Sequence, residues 1–273
     1  MSGFGKIVGK MRMTMKNDDF GDRMKAYEKE YTEAHIPIDQ ILCVRIDGKG
    51  FSKFTKGFKK PFDDRLGETM KKTMMALVKE THASLGYTQS DEITLIYTPG
   101  EKATEYMFGG KVSKINSILA SMATYHFNRL LSVYIDVDKP AFFDCRAWAV
   151  PDLIEASNVL LWRVQDARKN SISSLFRWTA GHSKMHGLSG DEMKTLLKSD
   201  YFTDWDELPN KYKCGTYAKP VTVESYLSQE ELMKIPEHKR PAIEVLVKRT
   251  KVQELDLGYF GDYTLDQRME YIK

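Results

Sequence analysis

Ile41-Leu42-Cys43-Val44-Arg45-Ile46-Asp47-Gly48-Lys49-Gly50 is a compact apolar run that ends on an acid and two glycines. Its β-branched content predicts a buried strand, and Gly48 and Gly50 permit a tight turn with close backbone approach to a ligand. Asp47 therefore sits at a strand tip. A second acidic motif, Tyr87-Thr88-Gln89-Ser90-Asp91-Glu92, precedes the apolar run Ile93 to Tyr97. It predicts a β-hairpin with Ser90-Asp91-Glu92 near the turn. Between the two motifs, Phe62 to Leu85 has helical spacing with Leu66, Met70, Met74, Leu77 and Val78 inward.

The flanking segments complete a pattern. A charged amphipathic helix is expected over Asp18 to Glu33, with Phe20, Met24, Tyr27 and Tyr31 on one stripe. Further helix is expected over Val112 to Val133, a strand over Ala141 to Val150, and helix over Leu153 to Trp178 with a break near Asn170. A short helix follows from Asp191 to Lys198, then an irregular aromatic stretch through Trp205 and Pro209. The tail from Pro220 to Lys273 is highly charged and shows no motif. Strand, helix, hairpin, helix, strand is the split β-α-β order of an α+β fold, an antiparallel sheet covered by helices on one face. That topology makes Asp47 and Asp91 neighbours.

Composition sets bounds. A chain of 273 residues with 42% hydrophobic content can bury a substantial core. Lys and Arg exceed Asp and Glu by only 41 against 38, so nucleic-acid binding would need a local basic face. Cys43, Cys145 and Cys214 are widely separated and odd in number, with neither a disulfide framework nor zinc spacing, which fits a reducing cytoplasm. No apolar run reaches membrane-spanning length. Met1 to Lys16 lacks a secretory core and reads as a frayed terminus, or else as a basic arm for RNA.

The paired acids carry the chemistry. Two close carboxylates repel unless protonated or bridged by cations. With the Gly48 carbonyl as a third oxygen donor, Asp47 and Asp91 suit two Mg²⁺ ions that clamp a nucleoside triphosphate; the competing reading is a pair of ordinary turn acids. Glu92 either supports the acids from behind or, since at period two it points away from Asp91, lies at the surface. Ser90 either donates to a phosphate or caps the turn. Lys49, Lys53, Lys56, Lys59 and Lys60 are interleaved with Phe51, Phe54 and Phe58, either as phosphate contacts beside rings for a base or, for most of them, as solvated lysines beside core rings; Lys60 stands out just before Pro61. His182 and His186 have the i,i+4 spacing of a metal pair but no third ligand, and are expected at the surface. Trp162 and Trp178 are expected in the core.

Arg45-Ile46-Asp47-Gly48-Lys49-Gly50-Phe51 and Tyr87-Thr88-Gln89-Ser90-Asp91-Glu92 resemble the two metal-binding motifs of the tRNA-His guanylyltransferase superfamily. Lys60-Pro61, Ser113-Lys114, Phe143-Asp144-Cys145-Arg146, Leu161-Trp162-Arg163, Trp205 to Pro209 and Lys213-Cys214-Gly215-Thr216-Tyr217 follow in order, so the resemblance spans about residues 20 to 220. It implies a palm-type catalytic domain over 1–170, including the N-terminal helix, and a helical and irregular extension over 171–273 packed on it. It implies that Asp47, Gly48 and Asp91 hold two Mg²⁺ ions, the two acids being catalytic. Lys60, Ser90, Lys114 and Arg146, with Lys49, Gly50 and Phe51 of the first motif, would bind nucleotide. Arg163, Arg168 and Asn170 would bind RNA. The family adds nucleotides to RNA 5′ ends in the 3′-to-5′ direction. Activation by ATP or GTP is followed by attack of an incoming 3′-hydroxyl and loss of pyrophosphate, and homotetramers are common.

Two departures refine the expectation. Eukaryotic members carry His-Ile-Asn-Asn-Leu-Tyr-Asn where this chain has Arg168-Lys169-Asn170-Ser171-Ile172-Ser173-Ser174. The Arg-x-Asn-Ser-Ile form resembles the guanylyltransferase-like proteins of bacteria, archaea and their phages, which favour template-dependent repair of truncated tRNA 5′ ends. Cys145 stands where the family usually has Gly. The alternatives are addition of a single G to tRNA-His and, on the same palm, a nucleotidyl cyclase.

Overall fold

The computed structural model describes residues 17–100, 103–240 and 246–273. The segment Met1 to Lys16, expected as a terminal arm, lies outside the described residues. In chain order come α1 (Asn17–Thr32), β1 (Ile41–Gly48), the single turn α2 (Phe51–Phe54), α3 (Asp64–Thr81), β2 (Leu85–Gln89), β3 (Glu92–Tyr97), α4 (Val112–Leu131), β4 (Phe143–Val150) and α5 (Leu153–Ala180). Then follow α6 (Gly190–Tyr201), α7 (Asn210–Lys213), β5 (Thr216–Tyr226), α8 (Gln229–Lys234), β6 (Leu246–Leu255) and α9 (Leu265–Ile272).

All six strands form one sheet in the order β4-β1-β3-β2-β5-β6, and every pairing is antiparallel. Alternation along β1 sends Leu42, Val44 and Ile46 to one face, where they meet Met70, Met74 and Leu77 of α3 and Ile115, Leu119 and Phe127 of α4. Ile41 and Cys43 go to the other face, against Leu160 and Val164 of α5 with Tyr87, Tyr217 and Phe260. Helices thus cover both faces, not one as expected from the element order. The signal was present in β1 itself. A strand buried on both sides reads as a continuous apolar run, which Ile41 to Val44 is. A third, smaller cluster joins α5 to α6 through Ile172, Phe176, Leu197 and Trp205.

Local chemistry fixes the helix ends. Asp63 caps α3 by accepting from the Arg65 N–H at 2.9 Å, and Asp152 caps α5 through the Glu155 N–H at 2.9 Å. No break occurs near Asn170: α5 is continuous, because Ala156, Leu160, Ala167, Ser171 and Leu175 keep one buried stripe through that point. Position 170, where the sequence suggested that the palm ends, therefore lies inside a helix. The chain returns to the same sheet beyond it. The tail from Pro220 is also more regular than expected. It contributes most of β5, together with β6, α8 and α9. Trp162 and Trp178 are 52% and 57% exposed, not core residues. Each lies two residues beyond a buried one, Leu160 or Phe176, and so points roughly 200° away around the helix.

Candidate nucleotidyl-transfer site

The antiparallel register builds the site row by row. Asp47 lies directly opposite Glu92 on β3 and Asp144 on β4, so the three acids share one face at the end of the sheet. The next row on that face holds Arg45, Arg146 and Thr94. Asp91 occupies the β2–β3 turn, and its carbonyl accepts the Gly48 N–H at 3.1 Å, which ties the turn to the end of β1. Asp47 and Asp91 consequently border one cleft of about 700 Å³, whose other walls come from α3, α5 and α7.

The turn is built to a tight specification. A Cβ on Gly48 would lie 2.3 Å from the Phe51 ring, so only glycine fits there. Gly50 has φ 66° at the start of α2, a left-handed conformation that glycine adopts at no steric cost. Ser90 also has positive φ, 55°, and its hydroxyl donates to an Asp91 carboxylate oxygen at 3.1 Å. Such a conformation costs a non-glycine residue roughly 1–2 kcal/mol, and here it falls inside the candidate site.

Both acids hold their protons more tightly than free carboxylates. Burial pushes the Asp47 carboxyl up, and the Asp144 charge adds to it against the opposing Arg45, Arg146 and Arg163. Burial likewise raises Asp91, with the Asp47 charge second. Two desolvated carboxylates of this kind favour a cation between them, and a set of carboxylate and carbonyl oxygens matches a hard dication such as Mg²⁺. Among the described residues no group of three His, Cys, Asp or Glu side chains gathers as a metal site. Two acids plus a main-chain carbonyl would leave positions for water and phosphate. His182 and His186 are exposed, with ring centroids 6.0 Å apart and no third donor.

The remaining expected residues fall into three groups. Ser90, Asn170 and Arg163 line the cleft with the two acids. Arg146 is exposed at its edge, 3.6 Å from Asp144; Lys49 is exposed beside Gly48; and Lys60 reaches the Thr55 hydroxyl at 3.3 Å. Lys114 is elsewhere. It sits in the first turn of α4, whereas Phe127 of the same helix packs on Phe51 near the tip. Thirteen residues of helix put Lys114 roughly 20 Å further along.

Three expectations need correction on geometry. The Phe51 ring is buried against Phe54, Phe127 and Phe143, with centroids 5.1–5.4 Å away, so it holds the turn in place and offers no face to a base. The Arg163 side chain is 10% exposed and gives both Nε and Nη2 to Glu92, at 2.7 and 2.9 Å, and Nη2 also to Asp166 at 2.8 Å. It joins α5 to the hairpin and has little left for RNA. Glu92 correspondingly leaves the surface and becomes the buried anchor of that joint. Arg168 is half-buried, its guanidinium 4.3 Å from the Tyr259 ring and 5.0 Å from the Trp205 ring.

Arg45 and Asp144 carry no separate expectation from the sequence, and Trp162 was expected in the core. Arg45 lies two residues before Asp47 on one strand and therefore on its face, a period-two signal that was available. It lines the cleft, and its guanidinium is 5.7 Å from the Trp162 ring. The far wall is closed by Phe62 stacked on Tyr212 at 4.6 Å, while Asp64 accepts from Lys211 and Tyr212.

A sheet that delivers two desolvated carboxylates to a cleft edged with arginine and lysine is the frame of a nucleotidyltransferase. The family model for tRNAHis guanylyltransferase (Thg1) matches residues 21–151. A bacterial tRNA(His) guanylyltransferase (Thg1)-like protein in complex with ATP superposes with TM-score 0.70 at 38% identity, covering 73% of this chain and 88% of that one. A bacterial Thg1-like protein in complex with GTP gives TM-score 0.69 at 31% identity, covering 93% of this chain and 99% of that one. An uncharacterized protein of Acanthamoeba polyphaga mimivirus is 32% identical over 227 residues, 74% of this chain and 77% of its own length. The chain belongs to the tRNA-His guanylyltransferase family, with the α+β fold of its solved members, and is a nucleotidyltransferase.

Proposed function

We propose that the protein adds nucleotides to the 5′ end of tRNA or tRNA-like RNA in the 3′-to-5′ direction, templated by the opposing strand, as a repair reaction on truncated ends. The observation that carries this reading is the meeting of Asp47 and Asp91, both desolvated, at the mouth of one cleft. Asp47, the Gly48 carbonyl and Asp91 would hold two Mg²⁺ ions, which when bound lower the pKa of an attacking hydroxyl and stabilise charge on leaving pyrophosphate. The chain's own groups orient the phosphates: the Ser90 hydroxyl from its strained turn, Lys49 and Lys60 from the loop beyond β1, and Arg146 with Arg45 from the neighbouring strands. ATP or GTP would serve as activating and incoming nucleotide, consistent with what the two bacterial relatives bind. Asn170, exposed on the α5 wall of the cleft, would meet RNA.

The Arg168 to Ser174 segment favours templated repair over addition of a single G to tRNA-His, because it departs from the eukaryotic motif. Homotetrameric assembly is part of the same proposal. The exposed stripe of Phe20, Tyr27 and Tyr31 on α1 supports it as apolar surface open to solvent. Among the described residues no helix is long and apolar enough to cross a membrane, and a cytoplasmic setting completes the reading. Asp91→Asn tests it. Metal-dependent turnover should vanish while RNA affinity stays within about twofold of wild type. Retention of full activity would remove Asp91 from the chemistry.

A further inference from the structure

Between Asp47 and Asp63 the chain carries five lysines and no acid. The three phenylalanines among them turn inward. Phe51, Phe54 and Phe58 form a chain of ring contacts at 5.2 and 5.6 Å, anchored on Phe127. Thr55 is buried and its hydroxyl donates to the Phe51 carbonyl at 2.8 Å. With the aromatic side fixed to the core, Lys49, Lys53, Lys56 and Lys59 are all exposed and Lys60 is half-exposed.

Several other surface ammonium groups are held in ion pairs. Lys71 and Lys72 of α3 pair with Glu68, and Lys194 and Lys198 of α6 pair with Asp206 and Asp204. Among the described residues, none of the five lysines from 49 to 60 has a carboxylate within ion-pair distance. A cluster of like charges with no direct ion pair, Lys59 acting on Asp64 only at longer range, is a local field for a polyanion in a chain of net charge +3.

Its position selects the ligand. The segment starts two residues after Asp47 and ends at Pro61, which lines the cleft, but Lys53, Lys56 and Lys59 stand outside the cleft. A mononucleotide held between Asp47 and Asp91 would not extend to all of them, whereas a chain of phosphodiesters leaving the cleft would.

We propose that Lys53, Lys56 and Lys59 form a rim that carries the RNA backbone as it leaves the transfer site. The inference rests on the RNA-directed function proposed above and assigns that substrate a track on the surface. The rim contributes affinity without sequence preference, because ammonium groups meet phosphates as point charges.

The test compares wild type with the triple variant Lys53→Gln, Lys56→Gln, Lys59→Gln. Binding of a 5′-truncated tRNA is followed by fluorescence anisotropy from 50 to 200 mM salt. Each lost phosphate contact removes about 0.7–0.9 from the slope of log affinity against log salt. The triple variant should therefore be shallower by about 2–3, with ATP and GTP affinity unchanged. Arginine at the same three positions should restore the slope. An unaltered slope, or loss of nucleotide affinity in parallel, overturns the rim. If wild type neither binds nor extends the RNA, the proposed function fails and the rim with it. If wild type does both and the glutamine variant matches it, the rim alone fails.

Discussion

Replacing Glu92 by Gln should cost the fold about 3 kcal/mol. Its side chain is 13% exposed and accepts two hydrogen bonds from an Arg163 that is 10% exposed. Removing one partner of a buried ion pair leaves the other charge desolvated, a loss of about 3–5 kcal/mol. Asp166 still holds one arm of Arg163 at 2.8 Å and is itself 41% exposed, which places the expectation at the lower end. At about 2–3 °C per kcal/mol for a chain of this size, the melting temperature should fall by roughly 6–9 °C. Urea unfolding of Glu92→Gln, Arg163→Met and the double variant completes a cycle. Because the double variant removes both charges and so leaves none orphaned, it should cost no more than the worse single one. Costs that simply add, or a Glu92→Gln loss below about 0.5 kcal/mol, would refute the pair as the joint between α5 and the hairpin.

Other perturbations probe the tip directly. Gly48→Ala forces a Cβ to within 2.3–2.7 Å of Phe51 ring atoms that cannot retreat past Phe127 and Phe143, so about 1–3 kcal/mol of stability should be lost, read by denaturant unfolding. Asp47 and Asp91 bind protons more tightly in the folded chain than in the unfolded one. Their contribution to metal-free stability should therefore rise as pH falls toward the ordinary carboxylate value of about 4 and fade as pH rises through the shifted values. Asp63, Asp64 and Glu231, whose carboxyls are held low chiefly by hydrogen bonds from Arg65, Lys211 and Arg249, act in the opposite sense. The measurement is accordingly the difference in melting temperature between wild type and Asp91→Asn across pH, in EDTA. Asp91→Asn should melt higher than wild type at neutral pH in EDTA, and Mg²⁺ should narrow or reverse the gap, since only the wild type retains both carboxylates.

The tip was legible because its information is local. The apolar run ending at Asp47-Gly48 and the hairpin signal around Ser90-Asp91 each announce a strand end, and the helix between them forces the two ends together. The Glu92–Arg163 joint was not legible, because its partners are 71 residues apart and a period-two argument gives the face of Glu92 without what packs on that face. β5 was hidden by Pro220 and by its charges. Pro220 is tolerated because β5 pairs with β2 only over Thr216, Tyr217 and Ala218, so beyond them one side of the strand is open and a missing N–H costs no ladder bond. Val221 and Val223 alternate with Thr222 and Glu224 on a ribbon with much exposed surface, where a strand is stable but leaves no continuous apolar run to detect. Phe51 failed as a nucleotide contact for the converse reason. An aromatic residue beside a glycine turn reads alike whether it meets a base or the core, and only Phe127 and Phe143 decide between them.

Templated addition at an RNA 5′ end is measured by extension of a tRNA lacking its first nucleotide. The substrate carries a 5′-triphosphate and is offered each NTP separately with Mg²⁺, beside full-length tRNA-His. Only the nucleotide complementary to the opposing acceptor strand should be added, and Asp91→Asn should add none. Addition of G to full-length tRNA-His alone, whatever the opposing base, would contradict templated addition.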